Sequence, residues 1–187
     1  MTLNSFFRCL GRVTVLLLAA SQLAGAQGLG NPKPDYDAIF KAGLKRGGTV
    51  LDLGGKKIGD EGVRLLLEKG LLKNLVRLDL RYNEISAEGV RLLASAPDLP
   101  NLKVLILRHN ILGDDGAEAI SQSKSFPGLE EIQLGWCEVR DRGALAFAAT
   151  ERFPHLKDLD LRGNYLAEET KGTLKEKLAR LPELKLY

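Results

Sequence analysis

The chain has 187 residues, which is room for one domain rather than several. Charged residues make up 27% and hydrophobic residues 44%, an ordinary balance for a folded protein. The net charge of +3 falls to +1 when Arg8 and Arg12 near the N terminus are set aside, so the charge gives no reason to expect nucleic acid or an anionic membrane as partner.

Residues 1–26 have the layout of a secretory signal peptide. The segment contains no Asp or Glu, Arg8 and Arg12 precede an apolar run at residues 13–20, and a small-x-small cleavage pattern ends at Ala26. The apolar run is much shorter than the roughly 20 residues that a membrane-spanning helix needs. The layout predicts a secreted or periplasmic protein cleaved after Ala26. A mitochondrial transit peptide, which is also acid-free and contains arginine, is the alternative.

A linker and a capping helix are expected next. Residues 27–34 contain Gly, Asn and two prolines, which disfavour regular structure. Asp35 then has the position of a helix N-cap, and apolar residues follow at helical spacing as far as Leu44, before Gly47 ends the pattern. We expect a short amphipathic helix within residues 35–47 that covers the first repeat, because a repeat array leaves apolar residues open at its ends.

From residue 48 onward the chain repeats itself every 27 residues. Each unit has alternating apolar residues, a turn residue, another apolar residue and a position that opens a helical pattern. The first apolar column is Leu51, Leu78, Leu105, Ile132 and Leu159; the turn column is Lys56, Asn83, Asn110, Cys137 and Asn164; the helix-opening column is Gly62, Gly89, Gly116, Gly143 and Thr170. Five units in one register predict stacked strand–helix repeats over residues 48–187.

The columns resemble the leucine-rich repeat pattern L-x-x-L-x-L-x-x-N/C-x-L, and in particular the ribonuclease-inhibitor-like class, where a full helix follows each strand. The resemblance covers roughly residues 48–180. It implies an α/β fold, a leucine-rich repeat solenoid in the form of a short arc of about five 27-residue repeats. It also implies a non-catalytic module that binds other proteins through a concave sheet.

The positions within each unit indicate structural roles. Asparagine in the turn column can bond backbone groups that the bend leaves unpaired, whereas Lys56 cannot, which marks the first repeat as an edge unit. Acidic residues near the helix starts are expected to cap the first turns rather than to bind a metal; they are Asp60, Asp114, Asp115, Asp141, Glu168 and Glu169. After Leu174 the pattern drifts, Leu184 restarts it one residue late, and residues 185–187 are expected to form an open edge strand.

No arrangement of residues points to catalysis or to a cofactor. Cys137 is the one cysteine after the leader, so no internal disulfide can form, and its place in the turn column indicates a structural role. His109 and His155 fall at different repeat positions and should not converge. The chain has no HExxH, CxxC, phosphate-binding glycine loop or GxSxG. We therefore expect no enzyme, no metal site and no cofactor.

The outward strand positions predict the binding surface. The candidate protein-binding residues are Asp79, Arg81, Tyr82, Arg108, His109, Trp136, Asp160 and Arg162. The three arginines share one outward column, and the two aromatic residues and His109 share the next one, at the rim. Arg, Tyr and Trp are the side chains most often found as interface hot spots. Asp79 and Asp160 flank the arginines and are expected either to hold them extended or to meet a basic group of the partner. The alternative interpretation of the whole surface is a solvated, charged face.

Three functions are compatible with the sequence. The first is a secreted protein-binding module, and the second is a regulator of a small GTPase, against which the leader argues. The third is a role directed at a ribonuclease or a nucleic acid, against which the near-neutral charge argues. We expect the partner to be another protein, with no nucleic acid and no membrane after leader removal. We also expect a monomer, with pairing of two copies through the last strand as the alternative.

Overall fold

The computed structural model describes residues 34–187. The predicted signal peptide, and all of the predicted linker except Pro34, lie outside the described residues. In the described range, none of the helices combines the length and the apolar composition needed to span a bilayer.

Strands and helices alternate along residues 34–187. The strands are β1 (Leu44–Lys45), β2 (Val50–Asp52), β3 (Arg77–Asp79), β4 (Val104–Ile106), β5 (Glu131–Gln133), β6 (Asp158–Asp160) and β7 (Glu183–Lys185). The helices are α1 (Tyr36–Gly43), α2 (Gly59–Glu68), α3 (Ala87–Ala94), α4 (Gly113–Gln122), α5 (Asp141–Ala148) and α6 (Glu168–Lys177), with a 3-10 turn at Arg46–Gly48. The strands form one sheet in chain order, in which β1 pairs antiparallel with β2 and all later pairs are parallel. This alternation confirms the expected α/β solenoid.

The core lies between the sheet and the row of helices. Leu78, Leu105 and Ile132 stand in register on adjacent strands and are fully buried. They belong to one apolar cluster with helix residues such as Leu93 and Phe147. A strand alternates its side chains between two faces. The residues directly before and after Leu78, Leu105 and Ile132 therefore lie on the other side of the sheet, turned away from the helices. We call that side the open face.

Asparagine side chains tie the turns of neighbouring repeats together. The Oδ1 atom of Asn110 accepts hydrogen bonds from the backbone N–H groups of Asn83 and Ile85, both at 3.0 Å. Its Nδ2 group donates to one carbonyl of its own repeat and one of the preceding repeat. Asn164 makes the equivalent bonds two repeats further along, to the repeat of Cys137, which stands between the two asparagines in the column. The ladder predicted from the turn column is therefore present, and Lys56 at its start is exposed.

Two of the acidic residues near the helix starts bond backbone groups of the following repeat and not of their own helix. Asp60 accepts hydrogen bonds from the backbone N–H of Ser86 at 2.8 Å and from its hydroxyl. Asp114 accepts from the backbone N–H groups of Arg140 at 2.7 Å and Gly143 at 3.0 Å. The prediction that these two acids cap their own helices is wrong, because the nearest unpaired N–H groups belong to the next unit.

The N-terminal helix is shorter than the pattern indicates. Asp35 accepts a hydrogen bond from the backbone N–H of Ala38 at 3.0 Å, and Phe40 is buried. The helix ends at Gly43, where a Cβ would stand 2.6 Å from the carbonyl oxygen of Asp52. Only glycine fits this close approach, and the chain continues into the short strand β1 instead of a helix reaching Gly47.

The last repeat is two residues short, not one residue late. Leu184 pairs with Leu159, 25 residues earlier, and Leu186 is buried. The backbone N–H of Leu181 donates to the carbonyl of Leu178, three residues earlier. In the preceding unit, the N–H of Leu156 donates to the carbonyl of Phe153 in the same way. The final strand therefore covers Glu183–Lys185 rather than residues 185–187.

Candidate functional site

Three rings are stacked along one edge of the sheet. The ring centroids of Tyr82 and His109 are 4.1 Å apart, those of His109 and Trp136 are 4.9 Å apart, and both pairs are within 8° of parallel. The spacing follows from the repeat, because equivalent residues on adjacent strands stand roughly 4.8 Å apart. We call Tyr82, His109 and Trp136 the ring row.

The backbone under the ring row has a left-handed conformation. The φ angles of Tyr82, His109 and Trp136 are 55°, 55° and 53°. Their N–H groups donate to carbonyls of the following repeat at 3.0, 3.0 and 2.8 Å, which keeps the chain in this bend. The same column contains Gly55 and Gly163, with φ of 70° and 69°.

Large side chains at this column cost free energy. A bulky residue with positive φ is strained by about 1–3 kcal/mol, whereas glycine adopts this conformation freely. Burial does not compensate, because Tyr82 is 53% exposed and Trp136 is 41% exposed. Gly55 and Gly163 show that the fold does not need a side chain here. The stability of the fold therefore does not by itself account for the ring row.

Arginines stand beside the ring row, and acids hold two of them. Asp79 is 3% exposed and pairs with Arg81, Nη2 to Oδ2, at 3.3 Å. Asp160 is 1% exposed and accepts from Arg162 Nε at 2.9 Å and Nη2 at 2.7 Å. Their burial leaves little of either carboxylate for a partner and agrees with the other role expected for them, which is to hold the arginines. They orient Arg81 and Arg162, whose side chains are partly exposed.

Two titratable groups of this surface have shifted pKa values. Burial opposes the ionisation of Asp160, but the hydrogen bonds from Arg162 outweigh it, and the pKa of Asp160 is lowered. The pKa of His109 is lowered by burial between its stacked neighbours and, secondly, by the charge of Arg108. The imidazole is therefore neutral at pH 7, which suits stacking between two rings.

Arg108 differs from the other two arginines. Its guanidinium lies over the ring of Trp136, with Cζ 4.9 Å from the centroid. Its Nε atom is buried and has no hydrogen-bond partner among residues 34–187. In β3 and β6 an aspartate lies two residues before the arginine. The equivalent residue before Arg108 is Ile106, so Arg108 lacks an acid on its own strand.

A groove runs along the turns next to the ring row. Its volume is about 350 Å³, and it is lined by Lys57, Tyr82, Glu84, His109, Asn110, Ile111, Trp136 and Glu138. Ile111 is 55% exposed and, in the same column, Tyr165 is 61% exposed. Neither was among the predicted site residues. The sequence does indicate them: the column one place after the turn residue has an isoleucine and a tyrosine where the fold requires no apolar side chain.

The remaining chemistry of the repeats is structural. The thiol of Cys137 is buried and lies 3.1 Å from the carbonyl oxygen of Leu107. Burial raises the pKa of Cys137 to about 12, so the thiol is not a nucleophile at neutral pH. Among residues 34–187, no group of three or more His, Cys, Asp or Glu side chains is arranged to hold a metal ion.

Three of the repeats are similar to a known repeat family. A family model described as Leucine Rich repeat matches residues 72–94, 98–121 and 129–148. Each matched segment contains one member of the ring row. Among curated proteins, no match was found.

Proposed function

We propose that this leucine-rich repeat protein is a secreted, non-catalytic module that binds another protein through the ring row and the adjacent arginines. The observation that carries the proposal is the ring row itself: two exposed rings and the partly buried imidazole between them occupy strained backbone positions that glycine fills elsewhere in the same column. Leucine-rich repeats in general serve as protein-binding surfaces, which agrees with this reading.

The mechanism is binding without chemistry. Tyr82 and Trp136 supply flat apolar area, and their stacking on His109 limits their motion, so little side-chain entropy is lost when a partner covers them. Arg81 and Arg108 supply planar donor groups for carboxylates or carbonyls. Residues of this kind at the centre of an interface each contribute about 2 kcal/mol or more when fully covered.

The ring row is too small to form the whole interface. A stable complex covers roughly 800 Å² on each partner, which is more than three stacked rings present. The open face beside the row supplies the remainder, with Arg77, Gln133 and Arg162 partly exposed across β3 to β6. The partner therefore contacts several repeats at the same time.

The compartment and the subclass belong to the same proposal. The acid-free leader with its apolar run supports export, and the small residues before Gln27 support cleavage there. The closer resemblance to ribonuclease-inhibitor-like repeats is supported by the full helices between strands, eight residues in α3 and ten in α2 and α4.

The experiment is a pull-down from the native secreted fraction. Wild-type protein is compared with the triple variant Arg81→Ala, Arg108→Ala, Trp136→Ala, and with a helix-side control, Arg64→Ala with Arg142→Ala. All the substituted side chains are exposed or partly exposed, so the melting temperatures should stay close to that of the wild type. Loss of the partner with the triple variant alone supports the proposal. Loss with the control variant alone would place binding on the helices.

A further inference from the structure

The charges of the open face are unevenly balanced. Arg81 and Arg162 each pair with a buried aspartate two residues earlier on the same strand. Arg108 has Ile106 at that position, and no ion pair joins Arg108 to a carboxylate within residues 34–187. The middle arginine of the column therefore has no ion pair on its own strand, and its charge is offset only by the nearby carboxylate of Asp160, which is hydrogen-bonded to Arg162.

The guanidinium of Arg108 is held in place nonetheless. It rests on Trp136 at 4.9 Å, and it lies beside Gly135, where a Cβ would stand 3.5 Å from its Nε. A larger residue at position 135 would crowd this place. Because the side chain is already fixed by the indole, a ligand would lose little entropy in ordering it. The unpaired Nε also means that the free protein bears the cost of one buried, unbonded donor.

The acids lie on the other side of the rings. Glu84 and Glu138 follow the turn residues, whereas the arginines precede the rings. Glu84 pairs with Lys57 at 3.1 Å, while Glu138 has no cation paired with it in the described part of the chain. Next to the rings, Arg108 on the sheet side and Glu138 on the turn side are therefore the charged groups without an ion pair in residues 34–187, whereas the other arginines of the column are accompanied by acids. A ligand is oriented by this polarity, with its negative group towards Arg108.

We propose, building on the function proposed above, that this surface recognises a linear acidic segment of the partner, in which one carboxylate is flanked by aromatic or large aliphatic residues. The carboxylate pairs with the planar donors of Arg108, and a flanking side chain fills the groove between Trp136 and Ile111. A singly charged group fits better than a phosphate, because a single guanidinium faces it and the carboxylates of Asp160 and Glu138 lie nearby.

The chain contains a built-in reporter for this interaction. Trp136 is the one tryptophan of the chain, so a change in its fluorescence reports binding at the ring row without a label. The probes are three blocked synthetic peptides of otherwise identical design: an aspartate between two phenylalanines, an asparagine between two phenylalanines, and an aspartate between two alanines. We expect a saturable change in Trp136 fluorescence with the first peptide. Binding of each of the other two should be weaker by about tenfold.

Two variants assign the effect to the residues named. With Arg108→Gln, the aspartate peptide should bind no better than the asparagine peptide binds to the wild type. With Arg108→Lys, which keeps the charge but not the planar fork, the loss should be intermediate. Glu138→Gln is the matched control, because removing this carboxylate should tighten binding of the aspartate peptide about twofold by the same electrostatic argument. A thermal melt of each variant separates lost contact from lost folding.

Equal affinity for the aspartate and asparagine peptides, or no binding of either, overturns the inference. The pull-down is independent of this result. If the triple variant loses its partner while the peptides do not discriminate, the open face still binds protein and only the acidic-segment assignment is wrong. If the peptides discriminate but the pull-down is unchanged, the ring row recognises carboxylates and the natural interface lies elsewhere.

Discussion

The imidazole of His109 lies flat against the indole of Trp136, with ring centroids 4.9 Å apart and planes 8° from parallel. The other side of the imidazole stacks on Tyr82 at 4.1 Å. A titratable ring thus forms the centre of the proposed contact surface, and its protonation state affects both the stack and the charge beside Arg108.

The ring row makes the stability of the protein depend on pH near neutrality. Burial and Arg108 lower the pKa of His109 in the folded state, whereas an unfolded histidine titrates at about 6.5. The unfolded chain therefore takes up the proton first as the pH falls. The contribution of His109 to stability is complete above pH ~6.5 and decreases as the pH drops through this value, until the folded-state pKa is reached.

NMR titration of the His109 ring protons should give a midpoint below that of a histidine in a short peptide. In denaturant titrations at several pH values, His109→Asn should remove this part of the pH dependence, since asparagine tolerates positive φ but does not titrate. A midpoint at or above the peptide value, or parallel pH curves for wild type and variant, would contradict the assignment.

Stability of the array should depend most on its central units. Leu107 and Leu53 are both fully buried, but only the repeat of Leu107 has a complete strand–helix unit on each side. Leu107→Ala should lower the free energy of unfolding by about 2–5 kcal/mol. Leu53→Ala should cost less, because each repeat rests on its neighbours. Equal and small losses at the two sites in urea titration would argue against a stacked core.

Two helical glycines should respond to alanine in opposite directions. At Gly143 a Cβ would lie 2.7 Å from both the Cα and Oδ1 of Asp114, so Gly143→Ala must displace the preceding repeat and should destabilise by about 1–3 kcal/mol. At Gly172 no atom lies within 4 Å of the added Cβ, and Gly172→Ala should stabilise by about 0.5–1 kcal/mol through helix propensity. Thermal melts of the two variants test this. Similar shifts for both would mean that Asp114 does not restrict position 143.

Export predicts a specific mature terminus. The small residues ending at Ala26 predict cleavage there, so mass spectrometry of protein from its native source should find Gln27 first, in some molecules cyclised. The extracellular or periplasmic fraction should contain this form. An intact Met1 in the mature pool would rule out the leader, and a different cleavage site in an organelle fraction would favour the transit-peptide alternative.

The sequence predicts the fold well because its period does not change over five units. Every column becomes one stack in space, so the buried leucines, the asparagine ladder around Asn110 and the adjacency of Tyr82, His109 and Trp136 all follow from spacing alone. The same reasoning predicted the arginine column beside the rings. Its limit appears at residues 174–187, where a repeat two residues short shifts the register of β7.

Some side-chain contacts depend on interatomic distances that the alignment of the repeats does not give. Asp114 has the sequence position of a helix cap, but its nearest free N–H groups belong to the following repeat. Asp79 and Asp160 have outward strand positions, yet the arginines that they hold contribute to covering them. Only the three-dimensional packing of long side chains separates an exposed acid from a buried one, and no period in the sequence encodes it.

Site-specific photo-crosslinking measures directly whether a partner covers the ring row. The photoreactive amino acid p-benzoylphenylalanine replaces Tyr82 in one protein and Arg64, on the exposed side of α2, in the other. Both proteins are produced in the native host and irradiated in the secreted fraction. We expect a discrete covalent adduct with one partner protein from position 82 and none from position 64. Adducts from position 64 with none from position 82 would contradict it, because the helices and not the ring row would then face the partner.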